Sequence, residues 1–216
     1  MKNLFTILFT VVALFSNAQS IKKLSLDVNV GGRFGGAVSA DTVISDTLTN
    51  YKVSPGIHAD GGVRYQLNEL LSIRGGISYD GFKTTWGTLT ADNAGLISGS
   101  IEAVVNLQNL KFMLFIPEKI GLNFHAGLGL STMSNPSFKE GREFSDPGMK
   151  GNDDMINMVF GLTPQYKLND KISINLDLST KLLLIQSLYV NASHNSSVND
   201  KMGNIFNVAV GATYKF

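Results

Sequence analysis

The amino-acid sequence predicts an all-β fold: an eight-stranded antiparallel up-and-down transmembrane β-barrel with a polar, filled lumen. Three observations predict it. Eight stretches of about ten residues alternate apolar and polar side chains with period two, the signature of strands with one face in lipid. Their polar faces are rich in Gly, Ser, Asn, Asp and Thr, small enough to fill a narrow barrel, where a soluble sandwich would show long solvated chains. The connections between them alternate long and short, as barrel loops and turns do.

The chain has 216 residues, 44% of them hydrophobic and 16% charged, with a formal net charge of +1 and no cysteine. Near-neutral charge argues against a nucleic-acid partner. Without cysteine there are no disulfides, no thiol catalysis and no cysteine-ligated metal.

At the N-terminus, Lys2 precedes an apolar run from Leu4 to Phe15, and Ser16-Asn17-Ala18 places small residues before Gln19. This pattern predicts a secretory signal over 1–18, cut after Ala18, with the barrel occupying 19–216. The run is shorter than a spanning helix needs, and no cysteine follows the cut to carry a lipid. Past the signal the longest apolar stretches, near Leu110–Ile116 and Leu182–Ile185, are also too short to span as helices.

The first strand sets Leu24, Leu26, Val28, Val30 and Phe34 against Ser25, Asp27, Asn29 and Arg33. In the second, Ile57, Ala59, Val63 and Tyr65 oppose His58, Asp60, Arg64 and Gln66, and in the third Leu71, Ile73, Ile77 and Tyr79 oppose Ser72, Arg74, Ser78 and Asp80. The fourth has Ile101, Ala103, Val105 and Leu107 against Ser100, Glu102 and Asn106, with Val104 as an apolar exception. The fifth opposes Ile120, Leu122, Phe124, Leu128 and Leu130 to Asn123, His125 and Ser131. The sixth opposes Ile156, Met158, Phe160, Leu162 and Tyr166 to Asn157, Thr163, Gln165 and Lys167, and its outward Pro164 removes a ladder donor and predicts a bulge. The seventh opposes Ile172, Ile174, Leu176, Leu178, Leu182 and Leu184 to Ser173, Asn175, Asp177, Ser179 and Lys181. The eighth sets Phe206, Val208, Val210, Ala212, Tyr214 and Phe216 against Ile205, Asn207, Ala209, Gly211, Thr213 and Lys215.

With strand starts at Leu24, Gly56, Leu71, Gly99, Ile120, Asp154, Ile172 and Asn204, the spacings are 32, 15, 28, 21, 34, 18 and 32. Short turns then fall at Asn68-Glu69, near Pro117-Glu118 and at Asn169-Asp170, on the periplasmic side with both termini. Longer extracellular loops fall near 38–50, 84–97, 134–153 and 190–203. Aromatics cluster where interfaces would lie: Tyr65, Phe112, Phe115, Tyr166, Tyr214 and Phe216 near one rim, and Phe34, Tyr79, Phe82, Trp86, Phe138 and Tyr189 toward the other.

Inward charges nearly balance. Asp27, Asp60, Asp80, Glu102 and Asp177 face Arg33, Arg64, Arg74, Lys167, Lys181 and Lys215, and confined charges must pair, so a paired plug without an open pore is expected. His58 and His125 face the lumen as satisfied interior side chains, whereas His194 lies in a polar loop. No His and Ser pairing suggests a catalytic base beside a nucleophile, so no enzyme is expected. Gly31-Gly-Arg-Phe-Gly-Gly36 lacks phosphate-loop spacing, and the carboxylates over 140–154 lack EF-hand spacing. No cofactor or metal site follows.

The junction Ser16 to Gln19, the Gly-rich strand 121–130, the hairpin 166–173 and the ending Tyr214-Lys-Phe216 together resemble the small outer-membrane β-barrel families of Bacteroidetes, grouped with the OmpA-like transmembrane domain and the PorT-like barrels. The resemblance implies that Tyr214 and Phe216 serve as an assembly signal read by the barrel-assembly machinery, and that outer-membrane lipid and envelope proteins are the partners. Asp41-Thr42-Val43 and Asp46-Thr47-Leu48 resemble the O-glycosylation sites of that group, at Thr42 and Thr47. OmpA proteins continue into a peptidoglycan-binding domain that this sequence does not show, so a cell-wall tether is not implied. The expected role is structural or interactive, with a narrow channel for small solutes as the alternative.

Overall fold

A computed structural model describes residues 23–35, 42–44, 47–49, 52–86, 89–110, 117, 119–134, 152–184 and 203–216, with the backbone alone at 42–54, 83–94 and 152–153. The expected signal over 1–18, Phe112, Phe115, Phe138, Tyr189 and His194 lie outside the described residues.

Eight long strands form the wall: β1 (Leu24–Phe34), β5 (Gly56–Gln66), β6 (Leu71–Trp86), β7 (Leu89–Asn106), β8 (Ile120–Ser134), β9 (Asn152–Lys167), β10 (Ile172–Leu184) and β11 (Gly203–Lys215). Three short strands, β2 (Thr42–Ile44), β3 (Thr47–Thr49) and β4 (Lys52–Ser54), lie between β1 and β5. Each wall strand pairs antiparallel with its neighbours in sequence, and β1 pairs with β11, so the sheet closes on itself. The fold is a closed eight-stranded antiparallel up-and-down barrel.

The register fixes the barrel's shape. From Leu24, successive partners are Tyr65, Ile73, Ala103, Ala126, Phe160, Thr180 and Phe206, and Phe206 pairs with Phe34, ten residues beyond the start. That stagger in eight strands corresponds to a tilt of about 40°. At such a tilt an eleven-residue strand such as β1 rises about 28 Å, close to the height of an apolar membrane band.

Burial is inverted relative to a soluble protein. Along β1 the polar Ser25, Asp27, Asn29 and Arg33 are buried, while Leu26, Val28, Val30 and Phe34 are exposed. Among the described residues twenty buried side chains are polar or charged and nine are hydrophobic, so the barrel is polar inside and apolar outside.

Two hairpins at the end where β1 begins and β11 finishes close on the same device. Asn68 Oδ1 accepts from the Leu70 and Leu71 amides at 2.9 and 2.8 Å, and Asn169 Oδ1 accepts from Lys171 and Ile172 at the same two distances. Each Asn thereby takes up amide donors that the tight turn leaves without strand partners. The connection after β7 is longer than the short turn expected there. It begins with a 3-10 turn over Leu107–Asn109, capped by Asn106, so Leu107 leaves the strand.

Three expectations need correction. Residues 84–97 do not form a loop: β6 runs to Trp86 and β7 starts at Leu89, because Thr84, Thr85, Trp86 and Thr90 are residue types that suit a pleated ribbon. Pro164 makes no bulge. It pairs with Leu122 in an unshifted β8–β9 register, and β9 keeps its register with β10 on either side of it. Its missing N–H interrupts the ladder without adding a residue. Phe82 is not part of an aromatic girdle. It shares the inward face with Ser78 and Asp80 and is 1% exposed.

Around Phe82 lies a layer that periodicity does not reveal. Leu96, Met133, Met155, Leu183 and Ile205 are all buried with it, forming an apolar cluster inside the barrel toward the long-loop end. Alternation does not reveal this layer, since stretches such as Leu182-Leu-Leu184 are apolar on both faces and cannot be assigned by it.

Candidate functional site

Beneath the apolar layer the lumen holds one connected network of charged side chains, centred on Arg74 of β6. Its Nη1 donates to Glu102 Oε1 at 3.0 Å, its Nη2 meets Asp60, and its Nε lies 3.5 Å from Asp27 Oδ2. Arg64, directly opposite Arg74 in the β5–β6 register, also reaches Asp27 Oδ2, at 2.9 Å. Two like charges can sit opposite one another because one carboxylate faces both. Thr213 Oγ1 donates to the other Asp27 oxygen at 2.8 Å, tying the cluster to β11.

Two histidines extend the network. His125 places Nδ1 2.8 Å from Glu102 Oε2 and Nε2 3.1 Å from Asp177 Oδ1, spanning from β7 to β10. Thr163 Oγ1 donates to the same Asp177 oxygen at 2.9 Å. His58 places Nδ1 2.7 Å from Asp80 Oδ1 and Nε2 3.4 Å from Asp60 Oδ2. Lys181 crosses the barrel from β10 and donates to Asp80 Oδ2 at 2.7 Å, Ser78 Oγ at 2.8 Å and Ser98 Oγ at 3.0 Å. Asn29 Nδ2 donates to both Asp60 oxygens.

Arg33 is fully buried at the boundary with the apolar layer. It donates through Nε to the Gly81 carbonyl at 3.0 Å and through Nη1 to the Gly35 carbonyl, and its guanidinium stacks 3.9 Å from the Phe82 ring centre. Arginine suits this junction because its flat face packs on an aromatic while its edge donates.

Of the sequence candidates, Asp27, Asp60, Arg64, Arg74, Asp80, Glu102, Asp177 and Lys181 thus meet in one cluster, with Arg33 above it. Lys167 does not join them. It is exposed at the terminal rim and enters none of the ion pairs among the described residues. Thr42 and Thr47 open the two strands of the small β2–β3 hairpin, and their side chains lie outside the described residues. Tyr214 and Phe216 face outward, 39% and 50% exposed, with rings edge-to-face at 5.2 Å.

The sequence reading misses two features of the site. The histidines are the satisfied interior groups expected, and they also bridge carboxylates on different strands, a link that composition does not signal. Inward glycines are seats for the large polar groups. A Cβ at Gly62 would lie 2.7 Å from Arg74 Nε, one at Gly76 2.8 Å from Arg74 Nη1, and one at Gly161 would collide with the His125 ring. Small residues opposite bulky ones let a narrow barrel accommodate a guanidinium and two imidazoles. The cavity within the network is about 40 Å³, room for a water or so and not for a solute.

No family model and no curated protein matches the chain. Solved structures do. Neisserial surface protein A (NspA) is similar at a TM-score of 0.56 and 10% identity, over 90% of this chain and 97% of that one. The outer membrane protein OprG from Pseudomonas aeruginosa is similar at 0.51 and 10% identity, over 89% and 95%. At such identity the likeness is one of fold: the chain has the architecture of the eight-stranded outer-membrane barrels.

Proposed function

We propose that the protein is an integral outer-membrane barrel with a closed lumen, whose role is structural or interactive: supporting the membrane, or docking envelope or surface partners through its long-loop end. The observation that carries this reading is the pairing of an apolar exterior with a lumen filled by the Arg74-centred network and the Phe82 layer. An exterior presenting Ile57, Ile77, Ile97, Ile101, Leu128 and Val210 suits hydrocarbon. Among the described residues the lumen is occupied by mutually paired side chains around a cavity of about 40 Å³, which argues against a transport role. Within this reading residues 1–18 act as a cleaved signal, the termini face the periplasm, the barrel-assembly machinery inserts the chain, and the lineage is that of the small Bacteroidetes barrels.

Purified protein reconstituted into planar lipid bilayers tests the central point. The expected record is a flat baseline at physiological voltages. Steady unitary current steps from the wild-type protein would replace this reading with that of a narrow channel for small solutes.

A further inference from the structure

The terminal mouth of the barrel differs from the network above it. There Lys23, Arg64, Lys167 and Lys215 line one recess of about 100 Å³, and among its lining residues only Glu69 carries the opposite charge. Lys167 and Lys215 continue the inward phase of β9 and β11 at the rim, and Lys23 sits just before β1. Lys167 and Arg64, both of its own sign, are among the charged neighbours of Lys215. Elsewhere in the lumen each Arg or Lys of the network faces a carboxylate, whereas Lys167 and Lys215 face none among the described residues.

Convergence of like charges disfavours the folded state unless an anion sits among them. Arg64 lines both this recess and the network above it: its Nη2 is held by Asp27, while its fully buried Nε donates to no protein group among the described residues. A guanidinium and two flexible ammonium groups around a volume of this size match a compact tetrahedral oxyanion.

We propose that the terminal mouth is a binding site for a phosphate-type oxyanion, free in solution or carried by a headgroup, held by Arg64, Lys167 and Lys215. The site stands independently of whether the lumen conducts.

Isothermal titration of the folded full chain in a non-ionic detergent, at constant ionic strength, tests it. One arm uses inorganic phosphate with chloride as the reference, and the other a short-chain phosphatidate. Saturable one-to-one binding is expected in at least one arm, weakened about tenfold or more in the double variant Lys167→Gln with Lys215→Gln. Lys171→Gln, exposed on the same rim outside the recess, is expected to bind like wild type. Saturation in the phosphate arm identifies a free oxyanion, and saturation in the phosphatidate arm alone identifies a headgroup. A response that does not saturate in either arm, or that the double variant and Lys171→Gln lower equally, overturns the proposal in favour of diffuse attraction to a basic rim.

Discussion

Arg74 is the residue whose loss the lumen tolerates least, because Asp27, Asp60 and Glu102 all face it from three different strands. Arg74→Met removes the cation that three lumen carboxylates share, and loss of one partner costs about 3–5 kcal/mol in other buried pairs. Urea unfolding in lipid vesicles is expected to show a loss of that order, while Lys171→Met on the exposed rim stays within about 0.5 kcal/mol. The glycine seats are equally specific. Gly161→Ala drives a methyl into the His125 ring, which Glu102 and Asp177 hold from both sides, so about 1–3 kcal/mol is expected to be lost. Gly75 has nothing within 4 Å of an added methyl, and Gly75→Ala is the matched control, expected to unfold near the wild-type midpoint. Equal midpoints for the two alanine variants would mean that His125 is not seated where the structure puts it.

Among the elements, β7 distinguishes lipid from water as the medium around the wall. Ile101 is 71% exposed at the middle of the doubly paired part of β7, beside the inward Glu102. Ile101→Lys is expected to cost about 2–4 kcal/mol in a bilayer, whereas Leu168→Lys at the terminal rim is expected to cost about 0–1 kcal/mol. Both are measurable as shifts in unfolding free energy in vesicles. A soluble protein would accept either lysine without loss. Much of each element is readable from the residues alone: the period-two alternation of β10, Ile172 through Leu184, coincides with the strand, and Asn68 and Asn169 mark their turns. The β6–β7 hairpin is legible only in part, since its outer portion, rich in Thr, carries no apolar alternation to set it apart from a loop.

At the scale of the whole molecule, closure is the property that converts eight strands into a barrel. Val30 of β1 and Val210 of β11 are direct partners on the outer face, 180 positions apart, and the chain has no cysteine of its own. Paired residues across adjacent strands fall within the separation a disulfide bridges. Val30→Cys with Val210→Cys is therefore expected to cross-link on mild oxidation of the folded protein, visible as a compact band on a denaturing gel. Phe206 lies on the same outer face of β11 but pairs with Phe34, four positions along β1 from Val30. That offset is about 13 Å along the strand, beyond a disulfide's reach, so Val30→Cys with Phe206→Cys is expected to stay uncross-linked. Failure of the first pair to cross-link would mean that the barrel is open and its lumen not enclosed.

Alternation of side chains by itself determined which face of each wall strand is apolar, that there are eight wall strands, and where the turns at Asn68 and Asn169 fall, because these are local properties of a pleated ribbon. It also placed the lumen charges on one face. Which charge meets which is partly a matter of neighbouring strands: Arg74 lies opposite Glu102, His58 opposite Asp80 and Asn29 opposite Asp60. Only the closed tertiary structure brings Lys181 of β10 to Asp80 of β6, links His125 to Asp177, and stacks Phe82 with residues from β7, β8, β9, β10 and β11. Those contacts cross the barrel, and their partners are chosen by the stagger and curvature of the sheet, which no single strand encodes.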